Sequence, residues 1–469
     1  MTSKTRLLVI FYSLKKGEKL FERPLKLYAE YIEKIHDPDI RKTHILNDLK
    51  ACCPDVEFVG GNIISDFADL ASEIKRYPDV DGVLFYILTF VFRRPWFFRE
   101  EEIDIETLKK YPMIVVFDPM QFVSGLSFFE FNDLLREKEL KAIPIFSFDF
   151  NDVIKKINLI KALHKMKESK ILYIGEEEVL WDHLYWSKER RSEYLKAVKD
   201  VFGIDIVTMG YDKINEYYKR VKEEDAKALA KQWIKNAITM IDISEDEVIR
   251  DAKMYYALKM AMQEAGADAI TIDCVKALFF IGQALLPAFP CLALAQLNNE
   301  GYTAVCEADI NAVITQLLMR HISGKPGFIS DVTLDTSSNR AFYWHCICPT
   351  KMYGKEAPHL PYIIRKTHVG EGTALQVLAP AGQIITAAKF NVPERTLAIQ
   401  RGKIIGNEHH IGCSCRTEWV VETNSKKLLE KRIYRLFGSH RVVFFGDYRD
   451  ELLDIAKLIG FRVIEEDKE

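Results

Sequence analysis

Residues 290–348 read PCLALAQLNNEGYTAVCEADINAVITQLLMRHISGKPGFISDVTLDTSSNRAFYWHCIC. One apolar run stops at Glu307, and after a helical pattern over 310–322 a second leads into Asp331. A third run, over 341–344, leads into His345. Two acids and a histidine therefore each follow a segment typical of a buried strand. Because ligand and metal groups in α/β folds collect where strands end, we expect these side chains to mark a functional site.

Upstream of this segment, short apolar runs alternate with amphipathic patterns. Runs of strand length lie at 6–12, 80–90, 113–117, 142–146, 170–175, 204–209 and 266–273. Helical periodicity lies at 22–35, 129–138, 151–167, 187–202, 223–236 and 244–265. Apolar strands that do not alternate with polar residues, and that are separated by helices, predict parallel sheets covered on both faces. Ser244 and Glu247 form a capping-box pattern, which predicts that a helix begins there.

The pattern changes after Asp331. Short alternating runs lie at 374–378, 383–390, 395–401 and 415–421, followed by a helix at 426–437, a strand at 441–445, a helix at 451–459 and a strand at 461–464. Such runs are typical of an antiparallel sheet. We predict an α/β protein with two Rossmann-like, doubly wound parallel-sheet domains (1–168 and 169–330) and a mainly antiparallel, β-rich C-terminal domain (331–469).

Bulk composition excludes several classes of protein. The length of 469 residues allows about three domains. A net charge of −3 provides no field suited to nucleic acid or to an anionic membrane. The 9 cysteines are typical of reduced thiols in a cytoplasmic protein. The apolar stretch 277–297 is broken by Pro287 and Pro290, so we interpret it as a buried helix followed by a strand and not as a membrane span.

Glu307 and Asp331 are the first candidate pair. Hard or borderline divalent cations such as Mn²⁺ and Mg²⁺ bind carboxylate oxygens, often together with a neutral imidazole. His345 and His440 are the candidate imidazoles, whereas His409 and His410 lie in a loop and are expected to be solvated. The alternative for Glu307 is that it caps the helix that follows, although Asp309 could cap that helix instead.

The cysteines offer a second constellation. Cys346 and Cys348 form one C-x-C pair and Cys413 and Cys415 another, so four thiolates could bind one Zn²⁺. C-x-C is not the usual zinc spacing, and burial of these thiols as small apolar groups is the favoured interpretation. The chain has no GxGxxG motif, P-loop or nucleophile elbow, which argues against dinucleotide, ATP and serine-hydrolase functions.

The order of motifs over residues 170–469 resembles the L-fucose isomerase/L-arabinose isomerase superfamily, in particular its fucose isomerase-like branch. The resemblance rests on Leu297-Asn-Asn-Glu-Gly301, Ala304-Val-Cys-Glu-Ala-Asp309, Gly324-Lys-Pro-Gly-Phe328, Asp331, His345-Cys346 and Ser439-His440 through Gly446-Asp447. It implies two Rossmann-like domains and a C-terminal β domain. It also implies a trimer or hexamer, in which Arg93, Arg94 and Trp96 would cover a neighbouring site.

The resemblance further implies a Mn²⁺ site, which other divalent cations such as Mg²⁺ or Co²⁺ could also occupy. Glu307, Asp331 and His440 match the family's metal ligands, and the two carboxylates match its proton-transfer groups. His345, Lys276 and Trp96 are candidate substrate contacts, and Trp344 and Trp419 are unassigned aromatic residues.

The function implied is a cytoplasmic, metal-dependent isomerase that interconverts an aldose and a ketose of the pentose or 6-deoxyhexose class through an ene-diol. An alternative is a non-catalytic sugar-binding or regulatory protein on the same scaffold, because a fold does not fix a function.

Overall fold

The computed structural model describes residues 3–13, 37–88, 103–118, 125–176, 188–280, 285–408 and 415–469. The chain divides into two compact units. One comprises 1–164 with 453–461, and the other comprises 165–452 with 462–469. Within the described ranges, no helix has both the length and the apolar character needed to cross a bilayer. The predicted domain boundaries at 168 and 330 remain a prediction.

The first unit is built on a parallel sheet of five strands in the order β2-β1-β3-β4-β5. These strands are β1 (Thr5–Tyr12), β2 (Val56–Ile64), β3 (Gly82–Ile87), β4 (Met113–Phe117) and β5 (Ala142–Ile145). Helices α1 (Pro38–Cys52), α2 (Ala68–Lys75), α3 (Ile105–Leu108), α4 (Gly125–Glu137) and α5 (Phe150–Glu168) connect or follow them. Every residue of β3 and β4 is buried, as the continuous apolar runs predicted.

The second unit begins with a four-stranded parallel sheet in the order β10-β9-β6-β7. Its strands are β6 (Lys170–Ile174), β7 (Asp205–Met209), β9 (Ala269–Ile272) and β10 (Thr303–Cys306). Its helices are α6 (Lys188–Phe202), α7 (Tyr211–Arg220), α8 (Glu223–Asn236), α9 (Glu245–Ala265), α10 (Cys291–Asn299) and α11 (Ile310–Ser323), with a π-helical turn at Lys276–Phe280. Ser244 and Glu247 form the predicted capping box of α9.

The C-terminal part forms a mainly antiparallel sheet of seven strands in the order β15-β18-β11-β12-β17-β16-β19. These are β11 (Phe328–Asp335), β12 (Arg340–His345), β15 (Ile384–Asn391), β16 (Thr396–Asn407), β17 (Thr417–Glu422), β18 (His440–Phe445) and β19 (Arg462–Glu465). Strand β15 also pairs with β16, which closes the sheet into a barrel. Closure leaves no free edge among the strands of the ring.

Six further elements complete the described chain. Strands β8 (Met240–Ile241), β13 (Tyr362–Lys366) and β14 (Thr373–Val377) form a three-stranded sheet, and α12 (Ser425–Lys431), α13 (Tyr434–Phe437) and α14 (Arg449–Ile459) are the last helices. Trp419 is fully buried, packs on Phe328 and Phe445 at ring-centroid distances of 4.7 and 5.3 Å, and donates a hydrogen bond to a backbone carbonyl. This tryptophan is therefore a core residue.

The predicted fold class is confirmed: two parallel sheets flanked by helices precede a mainly antiparallel sheet. One local prediction is wrong. The second half of 277–297 contains the start of helix α10 and not a strand. Eight of the nine residues of α10 are buried, and a helix that is apolar on all sides has no periodicity that distinguishes it from a buried strand. The predicted helix at 426–437 is split into α12 and α13. The predicted helix at 22–35 lies outside the described residues.

Candidate metal centre

Four strands of the second unit bring Glu307, Asp331, His345 and His440 together. Glu307 directly follows β10, His345 ends β12 and His440 begins β18. Asp331 lies within β11, where it is paired directly with His440 on one side and with Trp344 on the other. The antiparallel register therefore places a carboxylate beside an imidazole, and the end of β10 adds the second carboxylate.

The side chains face one another at short range. Nε2 of His440 lies 3.4 Å from an Oε atom of Glu307 and 3.8 Å from an Oδ atom of Asp331. Nε2 of His345 lies 3.3 Å from the other Oε atom of Glu307. The ligating atoms of Asp331, His345 and His440 all lie within 4.8 Å of one another. His345, predicted as a substrate contact, thus belongs to the same cluster as the predicted ligands.

The backbone at Glu307 is unusual. Both Glu307 and Ala308 have positive φ, +59° and +56°, a left-handed conformation that non-glycine residues rarely adopt. Strain of this kind costs on the order of 1–3 kcal/mol per residue and persists where the surrounding structure enforces it. Here the turn ends β10 so that the Glu307 carboxylate faces the imidazoles, while Ala308 is buried beneath it.

The sequence left open whether Glu307 or Asp309 caps the helix that follows β10, and the structure shows that Asp309 does. One of its carboxylate oxygens accepts a hydrogen bond from the backbone N–H of Ala312 at 2.9 Å, so Asp309 caps α11. The other accepts from Nδ1 of His440 at 2.9 Å and forms an ion pair with the buried Lys389. Because Asp309 supplies the cap, the Glu307 side chain is left to the cluster.

The contact with Asp309 also fixes the orientation of His440. With Nδ1 held by the Asp309 carboxylate, Nε2 is directed at Glu307 and Asp331. Carboxylates that bind the other ring nitrogen orient metal-binding histidines in the same way. Nε2 is buried and makes no well-aligned hydrogen bond among the described residues, although Glu307 lies at 3.4 Å. A buried nitrogen without such a bond beside two carboxylates fits a bound cation.

Electrostatics favours the charged forms of Glu307 and His440. Burial raises the pKa of Glu307, but the close approach and positive charge of the His345 and His440 imidazoles outweigh it and lower the pKa well below its usual value. Burial lowers the pKa of His440, but the bond to Asp309 and the charge of Asp331 raise it to about 10. Without a metal ion, His440 is therefore an imidazolium surrounded by carboxylates.

A further acid lies on the neighbouring strand. Asp273 follows β9 and is fully buried. One of its oxygens accepts a hydrogen bond from the backbone N–H of Lys276 at 3.0 Å, and the other has no hydrogen-bond partner within the described ranges. Burial raises the pKa of Asp273 to about 6, with a contribution from the Glu307 charge. Sequence inspection did not single it out, although its place after an apolar strand is the same signal as for Glu307.

The other residues considered as substrate contacts lie in different places. The Lys276 ammonium forms an ion pair with Glu176 beyond the ends of β9 and β6, of which β9 is the neighbour of β10. Trp344 is half-buried and donates to the hydroxyl of Thr333 at 2.9 Å. Trp96, together with Arg93, Arg94, His409, His410 and Cys413, lies outside the described residues.

Two oxygen donors and two imidazoles make this cluster suited to a hard or borderline divalent cation such as Mn²⁺. Cys306 is the softer neighbour, with its sulfur 3.6 Å from Nδ1 of His345. The grouping of Glu307, Asp331 and His440 expected from the sequence is present in the structure, and their roles as ligands remain a prediction.

Comparison with known proteins gives one significant relative. The chain is similar to sulfoquinovose isomerase of Clostridium sp. (strain MSTE9), with 26% identity over 181 residues. The match covers 36% of this chain and 38% of that protein, so it spans well under half of either. No model of a known protein family matches the chain. The chain is thus similar, over about a third of its length, to an enzyme named as a sugar isomerase.

Proposed function

We propose that the chain is a metal-dependent isomerase that interconverts an aldose and a ketose, of the pentose or 6-deoxyhexose class. The observation that carries the proposal is the meeting of Glu307 and Asp331 with Nε2 of His440, at 3.4 and 3.8 Å. Similarity to a sugar isomerase supports the same class of reaction. A homo-oligomer, as a trimer or hexamer, is part of the proposal.

Glu307, Asp331 and His440 would hold the divalent cation, with His345 as a further nitrogen donor beside them. When bound, the cation supplies Lewis-acid polarisation of the sugar carbonyl. A protein that only binds sugar is the weaker alternative, because binding a neutral sugar requires no pair of carboxylates facing two imidazoles.

The reaction moves one proton between two carbon atoms and one between two oxygen atoms. One carboxylate, Glu307 or Asp331, removes the proton from C2 of the open-chain aldose and leaves an ene-diol. A proton is then delivered to C1, while the C2 hydroxyl loses its proton and the C1 oxygen gains one, so the sugar is isomerised without net gain or loss. The lowered pKa of Glu307 keeps this carboxylate ionised and able to act as a base at neutral pH.

The proposal is tested by turnover of metal-stripped protein resupplied with Mn²⁺. The panel comprises aldopentoses, 6-deoxyhexoses, their ketoses and sulfoquinovose, the sugar in the name of the relative. We expect Mn²⁺-dependent interconversion of at least one aldose–ketose pair. Saturable sugar binding without turnover, in folded protein that binds Mn²⁺, would contradict the proposal and favour the sugar-binding alternative.

Metal binding is expected to release protons. The pKa of His440, raised to about 10 in the metal-free protein, means that its imidazole is protonated at neutral pH, whereas a metal ligand must be neutral. Affinity for Mn²⁺ should therefore increase with pH between 6.5 and 8, and about one proton should leave per ion bound. Calorimetry in buffers of different ionisation enthalpy measures this release. A Mn²⁺ affinity that is independent of pH would show that His440 does not bind the ion.

A further inference from the structure

A second group of ligating side chains lies beside the candidate metal centre and uses sulfur instead of oxygen. The ligating atoms of Cys346, His368 and Cys415 all lie within 4.8 Å of one another, and the Cys415 sulfur is 3.5 Å from Nδ1 of His368. Cys291 adjoins this group through Cys346, because the interaction between the two thiols is the largest influence on the pKa of each, raising that of Cys291 and lowering that of Cys346. Cys346 is therefore the centre of a cluster of three thiols and one imidazole.

The four residues come from four separate parts of the second unit. Cys291 is the first residue of α10, Cys346 follows β12, Cys415 precedes β17, and His368 lies in the loop between β13 and β14. Strands β12 and β17 are paired, with His345 opposite Thr417, so their ends place Cys346 near Cys415. The three thiols are buried, whereas His368 is exposed.

We propose that Cys291, Cys346, Cys415 and His368 form a structural Zn²⁺ site of the Cys₃His type. Three thiolates and one imidazole are an established ligand set for tetrahedral zinc, and they leave no open coordination position for a substrate. In a tetrahedron with Zn–S bonds of about 2.3 Å, neighbouring sulfurs lie about 3.8 Å apart. The ligating atoms of Cys346, His368 and Cys415 already lie within 4.8 Å of one another, and Cys291 would approach as the fourth ligand.

The chemistry of the set favours Zn²⁺ over the cation proposed for Glu307 and Asp331. Thiolates are soft ligands and select zinc, whereas carboxylates suit Mn²⁺ and Mg²⁺. Binding replaces the three S–H protons by Zn–S bonds and releases these protons to solvent, with no change in oxidation state.

This ligand set differs from the one considered from the sequence. The thiol of Cys348 donates to the backbone carbonyl of Pro349 at 3.4 Å, and Cys413 lies outside the described residues. Cys291 and His368 replace them, and no local spacing links these two residues to either C-x-C pair. The site joins helix α10 to the ends of β12 and β17, and it therefore supports the backbone next to His345.

The test uses the full-length reduced protein and two probe ions, Zn²⁺ and Co²⁺. We expect about one Zn²⁺ per chain after purification, and a thiolate-to-metal charge-transfer band when Co²⁺ replaces it. Cys346→Ser and Cys415→Ser should remove that band, and His368→Gln should weaken Zn²⁺ binding at least about tenfold. Because His368 is exposed in a hairpin loop, its substitution tests the site without disturbing the core.

Two controls separate this site from its neighbours. Cys348→Ser changes a buried thiol on the same segment and should leave the Co²⁺ band intact, and Glu307→Gln should leave it intact while abolishing Mn²⁺ binding. Absence of the band in the wild-type protein, or its equal loss in Cys348→Ser, would overturn the proposal. Thiol titration that finds Cys346 in a disulfide with Cys291 or Cys415 would also overturn it. Failure of the isomerase proposal would leave these outcomes unchanged.

Discussion

Replacing Glu307 by Gln, or Asp331 by Asn, is expected to reduce isomerase turnover at least about a hundredfold, the typical contribution of an acid–base group. Each substitution keeps the shape of the side chain and removes its negative charge. Glu307 faces both imidazoles at 3.3 and 3.4 Å, so the neutral amide loses a cation ligand and a base together. Initial rates with the sugar pair identified by the panel, and Mn²⁺ content, measure the effect.

Asp335→Asn is the matched control for this experiment. Asp335 lies on β11, the same strand as Asp331, but its carboxylate accepts a hydrogen bond from the backbone N–H of Ser337 in an exposed turn. It should retain full activity and full Mn²⁺ content. Near-normal turnover in both Glu307→Gln and Asp331→Asn would remove these two residues from the mechanism.

The sequence was informative about Glu307 because parallel strands end at one edge of a sheet, whereas Asp331 lies within antiparallel strand β11. Glu307 was recognised as a polar residue after a continuous apolar run, and such runs are the signature of a strand buried on both faces. Asp331 and His345 followed similar runs. Their meeting with His440 depends on the pairing of β11 with β12 and β18, and register between distant strands is not encoded in local periodicity.

The role of Asp309 shows the limit of local reasoning. A carboxylate three residues before a helical N–H predicts a cap, and that prediction is confirmed. Its second oxygen meets His440 and Lys389, which lie 131 and 80 residues away along the chain. These contacts arise from closure of the barrel, in which β15 pairs with both β16 and β18, and no sequence motif signals that closure.

The buried thiols also show that local sequence reveals only part of a site. The two C-x-C pairs drew attention to Cys346 and Cys415, and these two residues do come together. Cys291 was missed as a ligand because it was placed in a strand, whereas it opens helix α10. His368 lies in a loop with no periodic pattern, so only the tertiary structure places it beside Cys415.

Replacing Lys389 by Met is expected to destabilise the protein by about 3–5 kcal/mol, the usual cost of removing one partner of a buried ion pair. Lys389 and Asp309 have exposed side-chain fractions of 2% and 6%, so water cannot compensate the carboxylate. Burial raises the pKa of Asp309, but Lys389 and His440 outweigh it and hold the pKa low, so the acid stays ionised at neutral pH. The free energy of unfolding of metal-free protein in urea measures the loss.

A double-mutant cycle shows whether the loss arises from the Asp309 charge. Asp309→Asn keeps an acceptor for the Ala312 N–H and removes the charge, so the double variant Lys389→Met/Asp309→Asn should be less destabilised than the sum of the single variants. Lys403→Met, in the exposed pair with Glu422, is the control and should cost no more than about 1 kcal/mol. Additive effects of Lys389→Met and Asp309→Asn would contradict a direct interaction. A coupling of about 1–3 kcal/mol would instead mean that one buried pair stabilises the fold and, through Asp309, orients His440 toward Glu307 and Asp331.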